Sequence, residues 1–140
     1  MKIVDELLKA SEQLTEWRRY LHQHPEIAFC EYNTADFLVS KLESFGLQVT
    51  KAVGRTGVVA TLTCGNSNRS IGLRADMDAL PITEMNSFSH CSTNSGKMHA
   101  CGHDGHMAML LGAAQHLAKT KGFNGTVHFI FQPAEESEGG

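Results

Sequence analysis

The chain has 140 residues, 41% hydrophobic and 19% charged, the balance of one globular domain rather than a disordered or collagen-like chain. A net charge of -3 and a pI near 6.2 argue against a nucleic-acid or anionic-membrane surface. No apolar run approaches the roughly 20 residues of a membrane span, and Lys2, Asp5, Glu6 and Lys9 interrupt the apolar core that a signal peptide needs.

Residues 3–22 are predicted helical, because Leu7, Ala10, Leu14, Trp17 and Leu21 recur at spacings of three and four as one apolar stripe. Pro25 ends that helix, since the residue before a proline avoids helical geometry. His22 and His24 are expected to stabilise the turn around Pro25 and Glu26. Residues 34–45 give a second helix with Ala35, Leu38, Leu42 and Phe45 on one face and Gly46 as its stop. The period then changes to strands over residues 47–53, 57–64 and 71–75. The turn cluster Gly65-Asn66-Ser67-Asn68 predicts a hairpin between the second and third of these.

Residues 85–96 are polar and rich in Ser and Asn, and read as a loop. A third helix is predicted over 105–120 from Met107, Leu110, Leu111, Ala114, Leu117 and Ala118, with Met109 counted among the core. A strand over 126–132 follows and stops at Pro133. Strand, crossover helix and strand imply a parallel βαβ unit. The expected class is therefore α/β, a mixed β-sheet flanked by helices.

The richest segment chemically is Met98-His99-Ala100-Cys101-Gly102-His103-Asp104-Gly105-His106. Cys101 and His103 stand two apart before an apolar helix, a pairing that suits a zinc-like ion. The positive end of that helix is expected to lower the Cys101 pKa. Glu135 and Glu136 follow a buried-looking strand. Two adjacent carboxylates there can divide the work, one holding a metal and the other taking a proton from metal-bound water. Asp76 and Asp78, at another strand end, either serve a second metal or a ligand, or cap a turn and pair with Arg74. Ligands of such sheets bind beyond the C-terminal ends of parallel strands, so the three clusters are expected to converge. The four cysteines, Cys30, Cys64, Cys91 and Cys101, are spaced too irregularly for a disulfide framework, and a cytoplasmic location is expected.

At these residues the chain resembles the metal-dependent N-acyl amino acid amidohydrolases, which include hippurate hydrolases and auxin-conjugate hydrolases within the aminoacylase/carboxypeptidase clan. The resemblance runs through Trp17-Arg18-Arg19 and His24-Pro25-Glu26, then Leu73-Arg74-Ala75-Asp76-Met77-Asp78-Ala79-Leu80-Pro81-Ile82. It continues through the Cys101–His103 segment and closes with Phe131-Gln132-Pro133-Ala134-Glu135-Glu136. It implies that Cys101, His103 and Glu136 are metal ligands, with Cys101 bridging two divalent ions, and that Glu135 is the general base. The ions would be zinc or manganese, with cobalt or nickel possible, and the substrates N-acyl or N-aroyl amino acids or small peptides. Asp78 matches a supporting Asp of related peptidases; Asp76 stands where they carry a metal-binding His, so no ligand role carries over to it.

The resemblance also implies that residues 1–140 are an incomplete N-terminal part of a zinc-exopeptidase-like catalytic domain. The rest, with two further metal-binding histidines and a lid that makes a homodimer, would lie beyond the few residues that follow Glu136. Such a piece alone is expected to be inactive and to expose apolar surface. The alternative reading is a small non-catalytic metal-binding or interaction module.

Overall fold

In the last strand, Val127, Phe129 and Phe131 are buried while the residues between them are half-exposed, so this strand presents one face wholly to a core. The structure, a computed structural model, describes residues 3–137, with side chains from Leu8 onward. Its elements are α1 (Ile3–Gln23), α2 (Tyr32–Ser44), β1 (Gln48–Val53), β2 (Gly57–Cys64), β3 (Ser70–Asp76), α3 (His103–Thr120) and β4 (Gly125–Gln132). The sheet order is β1-β2-β4-β3; β4 runs antiparallel to β2 and parallel to β3. The expected βαβ unit is therefore β3-α3-β4, in a mixed sheet.

The helices pack on the face that carries Val58, Ala60, Leu62, Val127, Phe129 and Phe131, which form one buried cluster with Leu38, Leu42, Met107 and Leu111. The opposite face is more polar. There the Thr61 hydroxyl meets His128 Nδ1 at 3.1 Å and the Thr63 and Thr126 hydroxyls meet at 3.0 Å, each pair directly opposite across β2 and β4. Trp17 and Leu21 of α1 join the core, and Leu14 packs against it; the side chain of Leu7 and residues 138–140 lie outside the described residues. Gly46 closes α2 at φ +80°: its N–H reaches the Glu43 carbonyl at 2.9 Å and the Leu47 N–H reaches that of Leu42 at 3.2 Å. That is the two-bond C-terminal motif for which glycine is favoured. Among the described residues no helix is long and apolar enough to cross a membrane.

Three expectations are corrected. The cluster at 65–68 does not close a hairpin, because β4 lies between β2 and β3. Asn124 Oδ1 instead accepts the N–H groups of Asn66 and Ser67 at 2.9 and 2.8 Å, folding that turn over the entrance to β4. Gly65 adopts φ +72° there, and a Cβ on it would stand 2.3 Å from Asn124 Oδ1. Turn residues announce a reversal without saying which strand will lie alongside. The tight connection that does form a hairpin is Gly54-Arg55-Thr56, between β1 and β2. Second, Met109 is 64% exposed, because at about 100° per residue it leaves the face shared by Met107, Leu110, Leu111 and Ala114. Third, α3 begins at His103, earlier than its apolar stripe announces, with Gly102 before it at φ +91°.

Exposed apolar surface is present: Ile71 on the outer strand β3 is 57% accessible, and Met109 stands on the adjoining helix. Truncating Phe129 to Ala should cost about 3–5 kcal/mol in denaturant unfolding, whereas Met109→Ala should change stability by no more than about 0.5 kcal/mol. A comparable loss at both positions would contradict the assigned core.

Candidate metal centre

The end of the parallel strand pair builds the site. Asp76 and Gln132 are register partners at the last rung of β3 and β4, and the Met77 N–H donates to the Gln132 carbonyl at 3.0 Å. The two chains leave the sheet side by side, one leading to Asp78 and the other to Glu135 and Glu136. The second is turned by Ala134, which is fully buried at φ +57°. A non-glycine residue pays roughly 1–2 kcal/mol for that conformation, so something must hold it. Glu31 does: its buried carboxylate accepts the Ala134 N–H at 2.9 Å through Oε1 and the Thr56 hydroxyl at 2.6 Å through Oε2.

Asp78 joins the two branches. Its carboxylate Oδ2 accepts the Glu136 N–H at 2.9 Å, and its backbone carbonyl accepts His103 Nδ1–H at 2.9 Å. A carbonyl only accepts, so Nδ1 carries a proton, and in the neutral ring Nε2 is the nitrogen with the lone pair. That nitrogen lies 3.7 Å from Glu135 Oε2 and 3.8 Å from Glu136 Oε1. One donor atom each from Cys101, His103 and Glu136 fall within 4.8 Å of one another. Thiol, imidazole and carboxylate are the donor set that zinc-like ions take. Asp78 Oδ1, buried without a hydrogen bond and 3.4 Å from His103 Nδ1, adds negative charge behind the ring. The residues present thus fit a divalent cation.

The thiol departs from expectation. The Cys101 pKa is raised, first by its hydrogen bond to Glu136, then by burial and by the charges of Glu136, Glu135 and Asp76. The bonded Glu136 and the nearby charges of Glu135 and Asp76 act against the lowering expected of the α3 N-terminus. A cation among these groups is what favours the thiolate. Asp76 pairs with Arg74, Nη2 to Oδ1 at 2.5 Å. His99 is buried with neither ring nitrogen hydrogen-bonded, and burial chiefly pushes its pKa down to about 4; it belongs to no ligand cluster among the described residues. His106 is exposed, its ring 5.4 Å from that of His103.

His22 does more than stabilise a turn. Buried, it reaches Asp104 Oδ2 at 2.8 Å through Nδ1 and Glu84 Oε1 at 3.0 Å through Nε2, and Arg18 Nε also meets Asp104 Oδ2 at 2.8 Å. This clamp ties the loop that carries Cys101 to α1 and to the first turn of α3. His24 stays local, its Nδ1 2.7 Å from the Tyr20 carbonyl. Burial alone would raise the Glu84 pKa, but the Ser92 N–H, the Asn86 amide and His22 outweigh it and bring it down to about 2. Glu31 and Glu84 escape sequence reasoning because a single Glu in a loop looks the same whether solvated or buried.

Glu31→Leu should cost about 1–3 kcal/mol for each group it strands, the Ala134 N–H and the Thr56 hydroxyl. Glu31→Gln should be milder, since the Thr56 hydroxyl can turn to accept. Denaturant unfolding that ranks the two variants the other way would contradict this role. Glu84 has a depressed folded pKa, so its contribution is complete above the ordinary value of 4.5 and is lost as pH falls toward 2. Stability should therefore fall less between about pH 5 and about pH 3 in Glu84→Gln than in the native chain; an equal fall would argue against the clamp.

Comparison with known proteins agrees with the fold. Residues 72–140 match the model of peptidase family M20/M25/M40. The whole chain is 46% identical to hippurate hydrolase of Campylobacter jejuni, covering 36% of that protein's length. It is also 46% identical over 136 residues to the N-acyl-L-amino acid amidohydrolase of Geobacillus stearothermophilus, covering 96% of this chain and 36% of that one. The chain thus spans little more than a third of the curated relatives it matches. A Bacillus subtilis protein described as a dinuclear metal-binding peptidase of the M20 family superposes with a TM-score of 0.85 at 41% identity, over 89% of this chain and 36% of that chain. Along its whole length this chain thus resembles members of peptidase family M20/M25/M40, whose model its residues 72–140 match.

Proposed function

We propose that this chain carries part of the metal centre of an amide hydrolase acting on N-acyl or N-aroyl amino acids or small peptides. The observation that carries the reading is the meeting of Cys101, His103 and Glu136 donor atoms within 4.8 Å, with the Glu135 carboxylate 3.7 Å from the same imidazole nitrogen. The names of the relatives, hippurate hydrolase and N-acyl-L-amino acid amidohydrolase, support the substrate class.

Cys101, His103 and Glu136 would hold divalent ions, zinc or manganese by donor chemistry with cobalt or nickel tolerated, and such ions lower the pKa of bound water and polarise the substrate carbonyl. Glu135, 40% exposed at the mouth of the cluster, accepts the proton of the attacking water on its carboxylate and returns it to the amine nitrogen as the C–N bond breaks. His103, its tautomer fixed by the Asp78 carbonyl, presents Nε2 without rearrangement. Glu136 is aimed by its own backbone N–H on Asp78.

We further propose that residues 1–140 form the N-terminal part of a larger catalytic domain, supported by the 36% of relatives' length that they span. The chain alone should then show no turnover of N-benzoylglycine with added zinc or manganese. Fused to the remaining part of the Campylobacter jejuni hippurate hydrolase it should turn over, and Glu135→Gln in that fusion should lower kcat by about 10²–10⁴-fold with metal content unchanged. Turnover by the isolated chain at an ordinary enzyme rate would refute the first expectation, and an unimpaired Glu135→Gln the second.

A further inference from the structure

The two edges of the sheet are built differently. On β1 the pairing with β2 shifts between Thr50 and Val53, Ala52 takes φ +59°, and Lys51 stands exposed beside Asp36. A bulge and an edge lysine are ordinary means of keeping other strands off. β3 has neither. Its seven residues pair in unbroken parallel register with β4, and among the described residues no strand lies on its other side. The Thr126 N–H donates to the Arg69 carbonyl and the Met77 N–H to the Gln132 carbonyl, so Ile71, Leu73 and Ala75 turn their backbone groups to β4. Ser70, Gly72, Arg74 and Asp76 therefore direct theirs outward. Ile71 is 57% exposed on this edge, and an open groove lined by Leu73, Ala75, Met109, Leu110 and Ala113 runs between β3 and α3.

We propose that the β3 edge docks a second copy of this chain, the two β3 strands pairing antiparallel about a twofold axis through Leu73. The outward backbone groups restrict the register. A symmetric pair that hydrogen-bonds through Ser70, Gly72, Arg74 and Asp76 can be centred on Gly72, Leu73 or Arg74. Centring on Arg74 sets two guanidinium groups face to face, and centring on Gly72 leaves Ala75 and Asp76 beyond the pairing. Centred on Leu73, all seven residues pair. Ser70 then faces the copy's Asp76, hydroxyl to carboxylate. Gly72 leaves room for the copy's Arg74, which keeps its own Asp76 at 2.5 Å. On the helix side Leu73 meets its counterpart and Ile71 meets the copy's Ala75, covering apolar surface along the groove. The edge is thus complementary to itself in charge and in shape. Because β1 is blunted, the assembly closes at two copies. The inference is independent of the proposed function.

Sedimentation equilibrium of the 140-residue chain over a range of concentrations tests it, with circular dichroism and thermal unfolding establishing that each variant is folded. The chain should be a monomer–dimer equilibrium. Ile71→Lys should weaken the dimer by about tenfold or more, since it puts an unpaired cation on the buried side of the new strand pair. Val53→Lys, on the opposite edge of the sheet, should leave it unchanged. Oxidation of Leu73→Cys should link two copies through the introduced thiols, as peptide mapping would show, because a pair without mutual hydrogen bonds sets Cα atoms about 4.5 Å apart, within disulfide reach. Ile71→Cys should not link, its two copies standing roughly 13 Å apart along the strands. A monomer at every concentration, or open-ended growth past the dimer, overturns the proposal. So does a dimer indifferent to Ile71→Lys, or one in which Ile71→Cys links as readily as Leu73→Cys.

Discussion

Asp78 is buried where β3 runs out, and it holds two separate parts of the chain in one place. Its carbonyl fixes the proton of His103 on Nδ1, and its carboxylate anchors the backbone of Glu136. Without the first contact the imidazole could present either nitrogen. Without the second the acidic segment would swing on a single turn at Ala134. The relation between imidazole and carboxylates therefore follows from one residue buried behind them. Glu31 plays the matching part from the far side, keeping Ala134 in a conformation that its side chain disfavours.

The same arrangement explains the charge of the site. Asp76, Glu135 and Glu136 all act on the Cys101 thiol and raise its pKa, a costly concentration of acid with one ion-paired arginine nearby. Negative charge gathered around a soft donor and a preset imidazole is a poor way to stabilise a fold and a good way to receive a cation. The stability of the region comes from elsewhere: the continuous core under the sheet and the buried His22 clamp that pins the Cys101 loop to α1 and α3.

Much of this is legible in the sequence. The apolar stripes gave α2 and β2 within a residue or two, since 3.6- and 2-residue periods are direct imprints of burial on one face. Cys101, His103, Glu135 and Glu136 stood out because donor residues clustered beside the ends of predicted elements. What the sequence concealed is of one kind, the contact between distant segments. Nothing local in Gly65-Asn66-Ser67-Asn68 says that β4 will enter between β2 and β3, because Asn124, far along the chain, holds that turn. Nothing local makes Glu31 or Glu84 buried rather than solvated. The start of α3 was misplaced for a different reason: its first turn is spent on His103, Asp104 and His106 rather than on the core, so no apolar stripe marks it. The thiol pKa shifts opposite to what its place before a helix suggests, because carboxylates distant in sequence close on it in space.

The central claim is that the sulfur of Cys101, the imidazole nitrogen of His103 and a carboxylate oxygen of the distant Glu136 take the same ion. Zinc K-edge X-ray absorption on the chain loaded with one equivalent of zinc tests it most directly. The account predicts one sulfur scatterer at about 2.3 Å with nitrogen and oxygen neighbours at about 2.0–2.2 Å, the sulfur disappearing in Cys101→Ser. A shell of nitrogen and oxygen alone in the native chain, or a sulfur that persists after Cys101 is replaced, would contradict it.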